Sequence, residues 1–397
     1  MKKLDTLVNQ YENTVLEYWH WLHAHPELSG EEKESAAYIA AALRKMGLEP
    51  IEKVGGYGVV ALVEGAKPGK CVGLRADFDA LSVDELTGLP FASQYPGKMH
   101  ACGHDSHAAM LLGVAHVLND MRDQFSGTVK LIFQPSEENS ADSGAVRMIA
   151  DGVLENPKVD AIFGQHVSNS HTLGEISLRR GAMTAASDRF FITVKGKSCH
   201  ASRPDKGVDA IAISAQIISA LQNIVSRTIS PFDSSVITIG KIIGGTRYNV
   251  GAEICEMEGT CRNLNPDVRD VIPGRIESII KGIAEGMGAE YTFKYIHGHA
   301  PLINTPEMAD LVLDVGEEIF GKDHVLYQDH PDMGGEDFAF FVQKVPGAYY
   351  WLGCHEEGTP QWPGHNGHFV PAEASLKLGV RFMTATALNY LNREIQS

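Results

Sequence analysis

The chain has 397 residues, with 34 lysines and arginines against 50 aspartates and glutamates, a formal charge of −16. At about 100 to 200 residues per domain this length implies two to three domains, and 44% hydrophobic residues can fill a core in each, which excludes disorder and small stapled scaffolds. The acidic balance, with no basic stripe interleaved with aromatics, disfavours nucleic acid and anionic membranes as partners. The N-terminal stretch reads as an amphipathic helix. Asp5, Asn9, Glu12 and Glu17 interrupt its apolar residues, so it lacks the apolar centre of a secretory signal. No apolar run approaches the roughly 18 residues of a membrane span. A cytoplasmic protein is the expectation, and six cysteines without a CxxC pair read mostly as buried thiols.

A second helix follows Pro26, with Ser29 as a candidate N-cap and Gly47 as a stop. Short β-branched runs then alternate with helical patterns. GVVALVEG and CVGLRADFDA, separated by AKPGK, read as adjacent strands; TVKLIFQP and AIFGQHV read as two more, with a helix expected over 107–121. This alternation predicts an α/β sandwich around a largely buried sheet. After Gly181 the pattern changes to β-α-β-β-α-β. One helix there carries Ile211, Ile217, Ile218, Leu221, Ile224 and Val225, and the other Ile276, Ile279, Ile280, Ile283 and Met287. That order is the split, ferredoxin-like arrangement, and it predicts a small domain over 185–297 inserted into a larger α/β domain of 1–184 and 298–397.

The densest polar cluster is MHACGHDSH, residues 99–107, where a loop gives way to a helix. Cys102 and His104, flanked by His100, Asp105 and His107, favour metal binding over an isolated buried thiol. In QPSEEN an apolar strand runs into Glu137 and Glu138, where open α/β sheets place ligands. One such carboxylate can bind a cation while its neighbour takes a proton from water; an acidic helix N-terminus is an equal alternative for the pair alone. His166 ends the strand AIFGQHV, and His365 and His368 lie in the loop WPGHNGHF. Each is weak alone. Together, thiol, imidazole and carboxylate donors around a carboxylate base match a hydrolytic site with two ions about 3.5–4 Å apart. No nucleophile elbow, P-loop or dinucleotide fingerprint competes.

LHAHPELSGEE (22–32), LRADFDAL (74–81), MHACGHDSH, FQPSEE (133–138), GQHV (164–167), CHASRPDKGVDA (199–210), GTCRNL (259–264) and GGEDFAFF (334–341) run nearly end to end through the chain. Together they resemble the aminoacylase, hippurate hydrolase and auxin-conjugate hydrolase branch of the metal-dependent amidohydrolase and peptidase family that includes succinyl-diaminopimelate desuccinylase. The resemblance implies a two-metal, exopeptidase-like α/β sandwich with an inserted ferredoxin-like lid that mediates homodimerisation. It also implies Cys102, His104, Glu138, His166 and His365 as ligands of two divalent ions (Zn, or Mn, Co or Ni) and Glu137 as general base. His368 becomes a neighbour rather than a ligand. His200 is implied to polarise the scissile carbonyl in the partner's site, and Asn249 and Arg262 to contact substrate. Related branches carry His-x-Asp where this chain has Arg75-Ala76-Asp77, so Arg75 is no ligand and Asp77 is expected to orient one.

Three departures from the family pattern, Ser82, Gly251-Ala252-Glu253 after Asn249-Val250, and Gly367, bear on loop rigidity and substrate preference. The implied activity is hydrolysis of the amide bond of N-acyl amino acids. The alternatives are a dipeptidase or aminobenzoyl-glutamate-type amidohydrolase of the same family, and a non-catalytic metal-dependent binding protein, which would have no use for the base.

Overall fold

The computed structural model describes residues 1–393. The chain divides into two compact units: one holds Met1–Met183, Ile303–His330 and the chain from Asp337 onward, and the other holds Thr184–Leu302 with Pro331–Glu336. Residues 298–302 and 331–336 thus group with the smaller unit rather than, as the sequence suggested, the larger. Thr184 bridges to Asp332 and the Ala185 amide donates to the Gly334 carbonyl, which ties the second of those segments there.

In chain order the first stretch carries α1 (Lys2–Ala24), α2 (Lys33–Lys45), β1 (Ile51–Val54), β2 (Gly58–Glu64), β3 (Lys67–Asp77), α3 (His104–Asn119), β4 (Ser126–Gln134), α4 (Gly144–Ala150), β5 (Ala161–Thr172), β6 (Ile176–Leu178) and β7 (Gly181–Thr184). The smaller unit follows with β8 (Ala186–Lys195), α5 (Ala210–Asn223), β9 (Ser235–Gly244), β10 (Ile254–Asn263), α6 (Pro266–Gly286) and β11 (Glu290–His299). The chain then continues through β12 (Leu302–Asn304), α7 (Pro306–Phe320), β13 (Val325–Tyr327), α8 (Phe338–Val342), β14 (Gly347–His355) and α9 (Glu373–Asn392).

The larger unit is built on an eight-stranded mixed sheet in the order β1-β2-β4-β3-β5-β14-β6-β13. Its centre is parallel: β4 with β3, β3 with β5, and β5 with β14. These strands are buried along most of their length, as expected of a sheet covered on both faces. One expectation fails here. β2 and β3 are not adjacent, because β4 lies between them, antiparallel to β2 and parallel to β3. The short link between β2 and β3 passes over the start of β4, with the Gly65 amide donating to Gly127 and the Ala66 amide to Phe125. A short linker therefore does not mean paired strands.

The α3 helix is buried on nearly every side and packs against α1 and α9. It starts a turn earlier than its apolar run suggested, so His104 and His107 share its first turn. Its neighbour Gly103 has φ +88°, and a Cβ there would lie 2.5 Å from Val167 Cγ2, so this entry needs glycine. A buried bridge joins α1 to α3: His23 Nδ1 lies 2.6 Å from Asp105 Oδ2 and Nε2 lies 3.2 Å from Glu85 Oε1. Burial opposes a charge on His23, yet Asp105 and Glu85 win and push it up to about 9. With the folded value above the unfolded 6.5, this stabilisation is complete below pH 6.5 and is lost as pH rises through about 9. The gap in urea midpoint between wild type and His23→Gln should therefore narrow across that window; a constant gap would contradict the bridge.

The smaller unit has four antiparallel strands in the order β11-β8-β10-β9 with α5 and α6 on one face, the ferredoxin-like topology. Phe190, Ile192 and Val194 of β8 pack with Ile213, Ile217 and Leu221 of α5 and Ile272, Ile276 and Ile280 of α6. Ile211 and Met287, part of the apolar helical pattern in the sequence, are exposed. The i, i+4, i+8 stripe from Ile213 to Leu221 faces the sheet, and Ile211 lies two residues, about 200°, off it. Among the described residues the strand β9 pairs only with β10, and its Val236, Ile242 and Ile243 are exposed.

Candidate metal centre

The site gathers at the carboxyl ends of β3, β4 and β5, where Asp77 registers with Gln134 and Arg75 with Gly164. His166 lies on β5, Glu137 and Glu138 follow β4, and Cys102 and His104 flank Gly103 at the start of α3. His365 arrives on the loop before α9, with φ +65° and its amide donating to the Ala101 carbonyl at 2.7 Å. The five expected ligand side chains and Glu137 thus converge from four separate segments.

Their donor atoms form two overlapping sets, each with all atoms within 4.8 Å of one another: Cys102, His104 and His166, and Cys102, Glu138 and His365. Cys102 belongs to both. A third set joins His104 to Glu137 and Glu138. Cys102 Sγ lies 3.3 Å from His166 Nε2, and Glu138 Oε1 lies 3.2 Å from His365 Nε2 and 4.0 Å from His104 Nε2. His104 Nε2 is buried with no hydrogen-bond partner among the described residues, and Glu138 Oε1, also buried, faces His365. A buried imidazole nitrogen without a hydrogen bond among the described residues, set beside carboxylate, thiol and further imidazole donors, is costly unless a cation lies among them, so the donor set fits metal ions.

The surrounding contacts fix which ring nitrogen is available. His104 Nδ1 donates to Asp79, 3.1 Å from Oδ1 and 3.0 Å from the carbonyl, and His166 Nδ1 donates to the Val167 carbonyl at 2.7 Å. Both leave Nε2 facing the centre. Asp77 Oδ1 accepts from His107 Nδ1 at 2.6 Å, and His107 Nε2 accepts the Val167 amide at 3.0 Å. So Asp77 steadies the backbone after His166 through His107, whereas Asp79 is the carboxylate that grips a candidate ligand directly. Burial pushes the Cys102 thiol up to about 12, helped by Glu138, so without a cation it stays protonated. Burial also holds His166 well below the ordinary histidine value, which keeps it neutral as a ligand must be. A cavity of about 180 Å³ opens beside Cys102 and His166, lined also by Ser168, Trp351, Pro363 and Phe369.

His368 belongs to none of these sets and stacks on Trp362 at 4.7 Å. At Gly367 a Cβ would lie 2.3 Å from the Asp84 carbonyl oxygen, so only glycine fits this departure from the pattern. The remaining candidates lie in the smaller unit. His200 is exposed and bridges to Val250, while the Ala201 amide donates to the Asn249 carbonyl, so these two loops lie side by side. The Ser202 amide donates to His200 Nδ1 at 3.2 Å, which leaves the proton on Nε2. Asn249 Oδ1 has no partner among the described residues. Arg262, on β10, donates to Thr260 Oγ1 at 2.6 Å and to the Cys261 carbonyl, and pairs with no carboxylate among the described residues.

An α/β unit with a donor-rich site at its parallel strand ends, interrupted by a ferredoxin-like unit, defines a class of metal-binding hydrolase. The profile of Peptidase family M20/M25/M40 matches residues 73–389, and the chain belongs to that family. Thermostable carboxypeptidase 1 of Saccharolobus solfataricus is 39% identical over 99% of both chains. An N-acyl-L-amino acid amidohydrolase of Geobacillus stearothermophilus is 39% identical over 77% of this chain and 82% of its own. A Bacillus subtilis dinuclear metal binding peptidase of the M20 family superposes with TM-score 0.82 at 34% identity, covering 96% of this chain and 99% of that one. No helix among the described residues is long and apolar enough to cross a membrane.

Proposed function

We propose that the protein is a metal-dependent amidohydrolase that cleaves the amide bond of N-acyl amino acids, with Cys102, His104, Glu138, His166 and His365 holding two divalent ions and Glu137 as general base. The observation that carries this reading is the convergence of those donor atoms, with the buried His104 Nε2 lacking a hydrogen bond among the described residues and Glu137 grouped with it. Bound ions would polarise the scissile carbonyl and acidify water. Glu137 then takes a proton from the attacking water and passes it to the leaving nitrogen, which departs as an amine. His200, with its proton on Nε2, is suited to donate to the carbonyl oxygen, and Arg262, which has no carboxylate partner among the described residues, to fork onto a substrate carboxylate, with Asn249 as a further contact. A thiolate ligand favours zinc, while the imidazole and carboxylate donors also accept manganese, cobalt or nickel.

The apolar free edge of β9 supports a homodimer formed through the smaller unit acting as a lid, since such an edge in solution invites another strand. In that assembly His200 serves the partner's site. Heterodimers of His200→Ala and Glu137→Gln chains should then recover activity that both homodimers lack; verified heterodimers without recovery would contradict the sharing. Cytoplasmic residence, and small molecules rather than nucleic acid or membranes as partners, complete the reading.

Asp79 receives three hydrogen bonds: from His104, from the Glu138 amide at 2.9 Å and from Ser29 Oγ at 2.7 Å. Asp79→Asn should therefore weaken metal affinity about 10- to 100-fold in chelator competition. Unchanged affinity would remove Asp79 from the account. The closest rival is a carboxypeptidase or dipeptidase, which also handles a free carboxylate. Amine release from a panel of N-acyl amino acids and dipeptides separates them: N-acyl amino acids should be preferred in kcat/KM, and a preference for dipeptides would favour the rival.

A further inference from the structure

The LSGEE segment ends in a glutamate that the mechanism above does not use. Glu32 is fully buried, at the start of α2. Its Oε1 accepts the Ser136 amide at 2.7 Å and Ser136 Oγ at 3.0 Å, and its Oε2 accepts the Gly30 amide at 2.9 Å. Ser136 sits at φ +55°, a left-handed conformation that costs a residue with a Cβ free energy. It immediately precedes Glu137. Arg147 donates to Ser136 Oγ at 2.9 Å, and the Ser136 carbonyl accepts the Gly144 amide at 3.1 Å. On the other side of Glu137, the Glu138 amide is held by Asp79.

We infer that Glu32 is a positioning residue for the general base: its carboxylate clamps Ser136 in the left-handed turn and so fixes the direction in which Glu137 leaves β4. The backbone on each side of Glu137 is thus gripped by a buried carboxylate, Glu32 before it and Asp79 after it. Burial and the neighbouring Asp79 push the Glu32 carboxyl up to about 7, the kind of disfavoured environment that functional sites retain. The turn needs this hold because nothing intrinsic to a serine favours it. A glycine at 136 would adopt the same φ without a clamp.

The inference rests on the amidohydrolase reading only for its catalytic consequence, so the test has two arms. In the first, hydrogen exchange of the metal-loaded protein is followed over a peptide covering residues 133–144. Glu32→Ala should speed exchange there with little change elsewhere, and Glu32→Gln, which keeps an acceptor for Ser136, should do so less. Unaltered local exchange, or acceleration spread through the whole larger unit, overturns the clamp. In the second arm, Glu32→Ala should lower kcat on the best N-acyl amino acid by about 10- to 100-fold, as expected for a slightly misplaced catalytic group, with KM and metal content near wild type. Glu32→Gln should be impaired less, and adding Ser136→Gly to Glu32→Ala should restore part of the loss. Unchanged kcat, or a loss matched by loss of metal with no recovery from glycine, overturns the positioning role. Wild-type protein silent on the whole panel would instead overturn the amidohydrolase reading, and the exchange arm would still decide the clamp.

Discussion

Glu137→Gln should lower kcat by about 10² to 10⁴ while the protein keeps its metal, the range lost when a positioned general base is removed. The geometry explains why the two effects separate. Cys102, His104, His166, Glu138 and His365 supply the two overlapping donor sets without Glu137, whose carboxylate lies in a separate group with His104 and Glu138. Glutamine keeps the size of the side chain but cannot accept a proton from water. A variant with full turnover would remove the base from the mechanism; one that loses metal in step with activity would make Glu137 a ligand instead.

The second large effect is on stability. Arg75 is buried and reaches Asp77 Oδ2 at 2.6 Å, Asp337 Oδ1 at 2.7 Å and Gln134 Oε1 at 2.8 Å. Although burial alone would raise Asp77, Arg75 and the nearby His104 and His107 hold it well below the usual carboxylate range. Arg75→Met would leave two fully buried carboxylates short of their cation. Breaking such a buried pair costs about 3–5 kcal/mol, read as a lower urea midpoint at an unchanged m value. A midpoint equal to wild type would contradict the network.

Much of the site was legible in the sequence because its chemistry is local. Cys102 and His104 stand two apart, Glu137 and Glu138 are adjacent, and His166 closes an apolar run, so each segment announces donors at a strand or helix end. The same holds for the smaller unit, whose helical stripes and four strands follow periodicity. What escaped was relational. Nothing in GVVALVEG or CVGLRADFDA says that β4 inserts between them, since strand order depends on where a later segment docks. Asp79 and Glu32 lay inside recognised motifs, yet their work is to grip backbone amides 59 and 104 residues away in sequence. His107 looked like another donor; it instead joins Asp77 to the Val167 amide. Residues that hold other residues carry no spacing signature, because their partners come from a different strand end.

The central claim is that this donor set holds metal ions which make the chain an amidohydrolase. Amine release from an N-acyl amino acid, measured on the purified protein before chelation, after it and after reloading with zinc or manganese, tests that most directly. Activity that disappears with the metal and returns with it, alongside elemental analysis giving two ions per chain, is the expected result. Turnover that survives complete removal of metal, or a fully loaded protein that releases no amine from any member of the panel, would contradict the account.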